Sequence, residues 1–440
     1  PEKKKFVRTL AESLVRAEGR NRSLAFAMIF SLKSQSGSQL SEEEILKALV
    51  TYGYGVPGIK FAQYLAFTSD FRKVFADLQD QAMPISYMAA VEILEKEFPG
   101  GLPYGMQILS IKGSGSVNIG IEYYNPMTND IEILSVPREG IEAATREDFR
   151  RLRLALLEVT QDEEGMRLFG FMLGLLDTVE ASVQLEFNRQ QVFENQQALA
   201  KILNRRALGW NVKMVEAYEL LNGRFIRMQM AKGRPARLVQ EEKPNLYKSA
   251  MRAASQVMVD HLMRWQKSPT GKYYADSDFH NGQVFIDEET KTVWLIDPGQ
   301  SIEISVEDYE LAKWILKILS NTVPVDVALN WLNDSTLNPE GQEDFYLKEE
   351  LSVLMESEDK SDAFIRFISL TKSKGSDVPL PTVQWVLGMN RQVAVGNLIG
   401  SNTRRRLWSS GAAEAGRNFL SNPSSGRFSE FWTVFRALWQ

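Results

Sequence analysis

The chain contains no cysteine, which excludes disulfides, thiolate nucleophiles and cysteine-ligated metal sites. Histidine is nearly absent. Only His261 and His280 occur among 440 residues, so a histidine-rich metal centre is excluded as well. No uninterrupted apolar run reaches the roughly 18 residues that span a bilayer, and the expectation is a soluble, cytoplasmic protein. The net charge of -5 argues against nucleic acid as the main partner. The chain opens at Pro1 rather than Met, which leaves room for a cleaved or omitted segment upstream.

What is present suits a globular protein with a substantial core: 44% hydrophobic and 24% charged residues over a length that allows two or three domains or one large two-lobed one. The first 50 residues read as helices. Phe6, Leu10 and Leu14 share a face, and Ser41 with Glu44 makes a capping box for a helix through Val50. A Gly-Pro turn then leads to a helix from about Ile59 that carries Lys60 and Gln63 on one face, where a solvated role is the plain alternative. Further helices are expected around Leu78 and Val91, with Met83-Pro84 between them.

The chemistry concentrates between Tyr274 and Gln300. Two short apolar runs, Val284 to Ile286 and Val293 to Ile296, flank the acidic turn at Asp287 to Glu289 and read as a hairpin. Asp278 lies before its first strand and Asp297 just beyond its second, so folding the hairpin brings two loop carboxylates together. The alternative is ordinary turn chemistry, which favours Asp-rich hairpins and Asp-Pro-Gly.

Other segments carry strand signals. Runs around Met106 to Ile111, Val117 to Tyr124 and Ile131 to Val136 are joined by KGSGS and NPMTND. Gly113, Ser114 and Gly115 in the first of these loops would let backbone amides approach a phosphate, or simply form a turn. Residues 212–236 read as a strand pair closed by Asn222-Gly223, a strong hairpin signal. The helix expected from Lys248 to Gln266 places His261 among core or boundary positions. Glu310 to Leu319 is strongly amphipathic.

In this order the segments resemble the UbiB-type (AarF-like) atypical kinases of the coenzyme Q family, over about residues 55–400. Lys60-Phe61-Ala62-Gln63 is similar to the family's Lys-x-Gly-Gln, with Ala62 in place of Gly, and Leu78-Gln79-Asp80 before Pro84 matches its following motif. The acidic loop is similar to the family's Ala-Asp-Pro-His-Pro-Gly-Asn in two frames. One places the Asp at Asp278 and the metal-binding amide at Gln283, with His280 and Gly282 in step; the other uses Ala275, Asp276 and Asn281. The first keeps the strand register and is preferred. Phe225 to Met230 with Lys232-Gly233 resembles the hinge where Met228 and Met230 would meet adenine, and residues 381–400 resemble the last kinase-lobe helix.

The resemblance implies an α+β, two-lobed protein-kinase-like fold: a helical extension over residues 1–100, an amino-terminal lobe over 101–235, a carboxy-terminal lobe over 236–400 and a tail over 401–440. It implies ATP and Mg2+ as cofactors, with slow ATP hydrolysis or phosphoryl transfer linked to quinone or lipid metabolism. Asp297 would hold the metal with Gln283, Asp278 would orient or deprotonate the acceptor, and Lys60 with Gln63 would reach in from the extension. Two departures favour a rival, a pseudokinase that binds nucleotide or scaffolds without turnover. The family's phosphate-pairing lysine falls on Ser135, and its glutamate partner, on the helix of SVQLEFNRQQVFENQ, falls on Gln190, with Gln184 and Glu186 at two earlier acids. Lys112 is the obvious replacement, but a lysine beside two glycines is poorly preorganised, and the expectation is that the charge is lost. In the tail, Arg404 to Arg406 precede Phe428, Phe431, Trp432, Phe435 and Trp439 at helical spacing. That stretch would dock on the protein's own surface or meet a lipid surface.

Overall fold

The computed structural model describes residues 41, 44, 46, 47, 50, 53–66, 75, 87–114, 117–161, 163–264, 273–275, 279, 281–297, 301–342 and 345–398. The helices expected over Phe6 to Leu32 and at Leu78, and the aromatic tail, lie outside them. In chain order the described elements are α1 (Gly55–Leu65), α2 (Tyr87–Glu97), β1 (Gln107–Ser114), β2 (Asn118–Asn125), β3 (Asp130–Pro137), α3 (Ile141–Val159), α4 (Glu163–Phe187) and α5 (Arg189–Leu203). Then come β4 (Arg205–Ala207), β5 (Trp210–Met214), β6 (Ala217–Leu221), β7 (Phe225–Gln229), β8 (Arg234–Pro235), α6 (Ala236–Glu242) and α7 (Pro244–Arg264). The rest are β9 (Tyr273–Ala275), β10 (Val284–Asp287), β11 (Thr292–Leu295), β12 (Ile302–Ile304), α8 (Val306–Leu319), α9 (Val325–Asn333), α10 (Lys348–Glu356), α11 (Lys360–Ser373) and α12 (Leu380–Leu398). The protein is thus mixed α+β, with largely antiparallel sheets. Among the described residues no helix is long and apolar enough to cross a membrane.

The chain divides into two compact units, each assembled from three separate stretches. The first, Pro1–Gln81 with Gly140–Gln184 and Leu329–Val378, is helical where described. Ser41 and Glu44 form the expected capping box, Glu44 N–H donating to Ser41 Oγ at 3.2 Å and Ser41 N–H to Glu44 Oε2 at 2.7 Å. Helix α1 begins at Gly55, four positions before the Ile59 that the Gly-Pro pair suggested. A proline in the first turn lacks only an N–H that has no intrahelical acceptor, so Pro57 does not delay the start. Gly58 is required here, because a Cβ would fall 1.9 Å from the Val50 carbonyl oxygen. Against α1 lies α3, whose Arg151 bonds Asp148 at 2.8 Å and the Gly53 carbonyl at 3.0 Å. Tyr346 bonds Thr371 at 2.9 Å and stacks on Phe367, tying the segment before α10 to α11.

The second unit comprises Ala82–Glu139, Leu185–Ala328 and Pro379–Gln440. One sheet has the order β1-β2-β3-β7-β6, all antiparallel. Its β3 alternates as period-two burial demands: Leu134 and Val136 face a core shared with Ala90, Ile93 and Leu94 of α2, while Ser135 lies on the opposite face. Asn222 and Gly223, both at positive φ, close the β6–β7 turn as the sequence predicts, although the first strand of that pair starts at Ala217. Val212 to Met214 belong instead to β5 in a second sheet, ordered β4-β5-β11-β10-β8, where β5 and β11 run parallel. Helix α7 covers that sheet and is held to α12 by Ser255 on Gln392 at 3.0 Å and by Trp385 Nε1 on the Leu262 carbonyl at 3.0 Å.

Two buried polar groups in this unit give testable consequences. Glu132 on β3, 3% exposed, accepts from Tyr123, from Asn125 at 3.1 Å and from Thr128 at 3.0 Å, and pairs with Arg227 at 3.0 Å. Removing one partner of a buried pair typically costs about 3–5 kcal/mol. Glu132→Ala is expected to lower the unfolding free energy by about 3 kcal/mol, measured by urea titration, because Glu219 still screens Arg227 at 2.7 Å. His261, buried in α7 as its spacing predicts, has its pKa pushed down to about 4 by burial, against a weaker opposing effect of the Tyr274 backbone. Between that value and the ordinary 6.5 the unfolded chain binds more protons than the folded one, so stability falls as pH falls. From pH 7 to pH 5 this group should remove about 2 kcal/mol, and His261→Leu should flatten the pH dependence by that amount.

Candidate functional site

The hairpin expected from the sequence is present and carries Asp297 at its end. Val284 pairs with Leu295 and Asp287 with Thr292, and Val284, Ile286, Val293 and Leu295 are all buried against α7. At the turn, Asp287 accepts from the Glu289 N–H at 3.1 Å and from the Thr290 hydroxyl at 2.6 Å. Beyond the last ladder pair the Ile296 N–H donates to the Gln283 carbonyl at 2.9 Å. That bond fixes the backbone just before Asp297 beside the backbone of Gln283. Asp297 itself is exposed and has φ +56°, a left-handed conformation that Asp tolerates better than most residues but that still carries strain. Ile302 pairs antiparallel with Ala275, and Asn195 of α5 donates to the Ser301 carbonyl at 2.7 Å. The backbone is therefore fixed directly before Asp297 and again at Ser301.

Helix α5 also meets the other sheet. Ser135 of β3 stands opposite Gly120 of β2 and Ile226 of β7, and Gly120 stands opposite Gly113 of β1. Residues paired across a ladder share a face, so Gly113, Gly120, Ser135 and Ile226 form one row, with two positions that carry no side chain. On this face, Val192 of α5 packs with Ile226 and Met228. The resemblance, with SVQLEFNRQQVFENQ as one helix, implies Gln190 as the partner of position 135. The helix instead breaks at Asn188, which caps α5 by accepting from the Gln191 N–H at 3.1 Å. The break rotates the register. Gln190 is exposed and bonds Glu194 at 2.7 Å, while Arg189 turns inward and donates through Nη2 to Ser135 Oγ at 2.8 Å and Ser135 O at 3.3 Å, and through Nε to Arg224 O at 3.0 Å. Arg189 is a functional candidate that none of the sequence motifs points to. Its signal is the Asn before it, an N-cap residue in the middle of an apparently continuous helix.

The other candidate residues are spread over both units. Gln283 is buried at the end of a short 3-10 turn directly before β10. Met228 lies in β7 and touches Gln196 Nε2 through its sulfur at 3.8 Å, and Met230 follows the strand. Gly233 sits at φ +89°, and a Cβ there would fall 2.3 Å from the Ile286 carbonyl oxygen, so the chain after β7 crosses β10 at backbone contact. The KGSGS stretch is not a free loop: β1 runs through Lys112, Gly113 and Ser114, of which Gly113 and Ser114 pair with β2 while Lys112 sits at a register shift and reaches Glu122 at 3.2 Å. In the helical unit, Lys60 is 6% exposed and Gln63 half-buried on α1, so a solvated face does not describe Lys60. Gly115, Asp276, Asp278 and His280 lie outside the described residues.

Asp297 is an oxygen donor of the type a hard cation takes. Mg2+ takes oxygen ligands, often one or two carboxylates completed by phosphate and water, and the Asp297 carboxylate beside the Gln283 segment offers that type of oxygen. Among the described residues there is no group of three or more acidic or histidine side chains placed to hold a metal ion.

The N-cap that sets the register is testable. Asn188→Ala is expected to cost about 1 kcal/mol in unfolding free energy, read by denaturant titration, whereas Gln190→Ala on the exposed side of α5 should change it by less than about 0.5 kcal/mol.

No protein-family model matches this sequence, and comparison with curated proteins returns no match.

Proposed function

We propose that this chain is a divergent UbiB-type, two-lobed kinase-like protein that binds MgATP. The observation that carries the reading is Asp297: an exposed carboxylate in a left-handed conformation, at the end of a buried hairpin and beside the Gln283 segment. In the proposed arrangement the sheet face bearing Ser135 and Met228 covers the nucleotide, the crossing at Gly233 forms the hinge, and the Asp297 carboxylate holds the metal with Gln283 assisting. The start of β10 at Val284, directly after Gln283, supports the loop frame in which Asp278 orients the acceptor. When bound, Mg2+ would neutralise phosphate charge; the chain's own part is to position the phosphates and exclude water. Burial of Lys60 supports a role for the α1 motif other than solvation. The acceptor class follows the resemblance alone, in isoprenoid quinone or lipid metabolism.

A second reading, a pseudokinase without turnover, is favoured by Ser135 and Gln190, since the expected lysine–glutamate pair is replaced by a serine and a solvent-exposed amide. One experiment tests binding and a second separates the readings. ATP with Mg2+ should raise the melting temperature, the stabilisation reaching about 2.7 kcal/mol at a hundred times the dissociation constant, and omission of Mg2+ or Asp297→Asn should abolish the shift. No shift in the wild type at saturating MgATP would remove the nucleotide-binding reading. Phosphate release above the Asp297→Asn background then distinguishes an enzyme from a pseudokinase.

A further inference from the structure

A buried cation on α5 has no place in either reading. Arg189 is 7% exposed, yet its hydrogen bonds all go to neutral oxygens, two on Ser135 and one on Arg224. Among the described residues no carboxylate lies within ion-pair distance of it, and Nη1 has no partner. Burying a charge is costly unless it is paired. The helix dipole adds to the cost, because Arg189 occupies the first position of α5, where a cation is disfavoured. Burial lowers its pKa to about 10, opposed by the charges of Asp297 and then Glu186. At neutral pH the group remains charged. The structure therefore keeps an underpaired guanidinium beside the strand row Gly113, Gly120 and Ser135, two of whose positions are bare, and within electrostatic reach of Asp297.

We propose that Arg189 is the fixed cation of a polyphosphate subsite, taking over from α5 the charge that Ser135 does not supply. This rests on the nucleotide-binding reading and gives its phosphate end a specific residue. The geometry fits the task. Ser135 holds Nη2 from two sides and the Arg224 carbonyl holds Nε, so the guanidinium plane is set before any ligand arrives, and Nη1 is left to meet an anion. Glycines in the neighbouring strands allow a phosphate to approach backbone. Asp297, whose charge acts on Arg189, would hold a metal ion, which would supply further neutralisation of phosphate charge when bound. Lys112, engaged with Glu122 at 3.2 Å, is not needed for this. On this proposal the charge expected to be lost at Ser135 is supplied from α5.

The test is calorimetric titration of the full chain with Mg2+-tripolyphosphate, MgATP and adenosine, using wild type, Arg189→Gln and Arg189→Lys. The expected result is a loss of about 30-fold or more in tripolyphosphate and MgATP affinity for Arg189→Gln, a smaller loss for Arg189→Lys, which keeps the charge but not the planar fork, and unchanged adenosine affinity in both. A merely structural Arg189 would weaken adenosine and tripolyphosphate alike, and that result overturns the proposal. So does wild-type tripolyphosphate affinity in Arg189→Gln, which would leave nucleotide binding itself intact. If the wild type binds tripolyphosphate in an Arg189-dependent way but neither ATP nor adenosine, the phosphate subsite stands and the nucleotide reading falls. Binding of none of the three overturns both. Should Arg189→Gln not fold, Arg189→Lys decides: weaker tripolyphosphate binding with unchanged adenosine supports the subsite, and unchanged tripolyphosphate binding overturns it.

Discussion

Backbone groups that leave one sheet before they can join the next must find other partners, and in the larger unit the side-chain amides of α5 supply them. Gln196 donates to the Val215 carbonyl and Gln197 to that of Ala217, both at 3.1 Å, where the chain passes from β5 in one sheet to β6 in the other. Asn204, at the end of the same helix, accepts from the Met214 N–H at 3.0 Å, and Asn195 holds the Ser301 carbonyl. A buried carbonyl left unsatisfied costs about 1–3 kcal/mol. The amides Asn195, Gln196 and Gln197 of α5 are thus structural, and its apolar residues do a separate job: Val192 packs on the β6–β7 face and Leu199 and Leu203 on the β5–β11 core.

This arrangement makes the position of Arg189 a consequence of the whole helix rather than of its own contacts. With the middle and the end of α5 fixed on both sheets, the first turn has no freedom to rotate, and Asn188 sets which residue of that turn faces Ser135. A guanidinium held in this way loses little mobility when an anion binds, which is the condition under which a fixed charge is effective. Asp297 is held by the same logic from the opposite direction, through the hairpin ladder on one side and the β9–β12 pairing on the other.

Local signals in the sequence are legible where a single interaction decides the conformation. The Ser41–Glu44 box, the Asn222-Gly223 turn and the three strands from Gln107 to Pro137 need only neighbours in the chain. Expectation and structure part where a weak local preference meets a distant partner. Gly55 to Gly58 looks like a turn until Val50 is found packed against Gly58. KGSGS looks like a loop, but its first residues extend β1 because β2 continues opposite them. The break at Asn188 is visible in principle, since Asn is a poor interior helix residue and a good cap. The parallel pairing of β5 with β11 is not, because neither five-residue nor four-residue strand says which of its edges will be covered, or by what. The position of Asp297 is legible from the hairpin, whereas the inward turn of Arg189 depends on a register that only the cap determines.

The pairing of Trp210 to Met214 with Thr292 to Leu295 joins segments about eighty positions apart, and the Asn195 bond to Ser301 spans 106. Closing loops of that length costs conformational entropy before the contacts they make can repay it, and long-range parallel pairing is intrinsically slow. On a ribosome the strand that ends at Met214 therefore emerges well ahead of its neighbour and must wait with one edge uncovered. Until β11 arrives, that edge is open to other chains, so synthesis of the strand that precedes Asp297 is also what covers that edge.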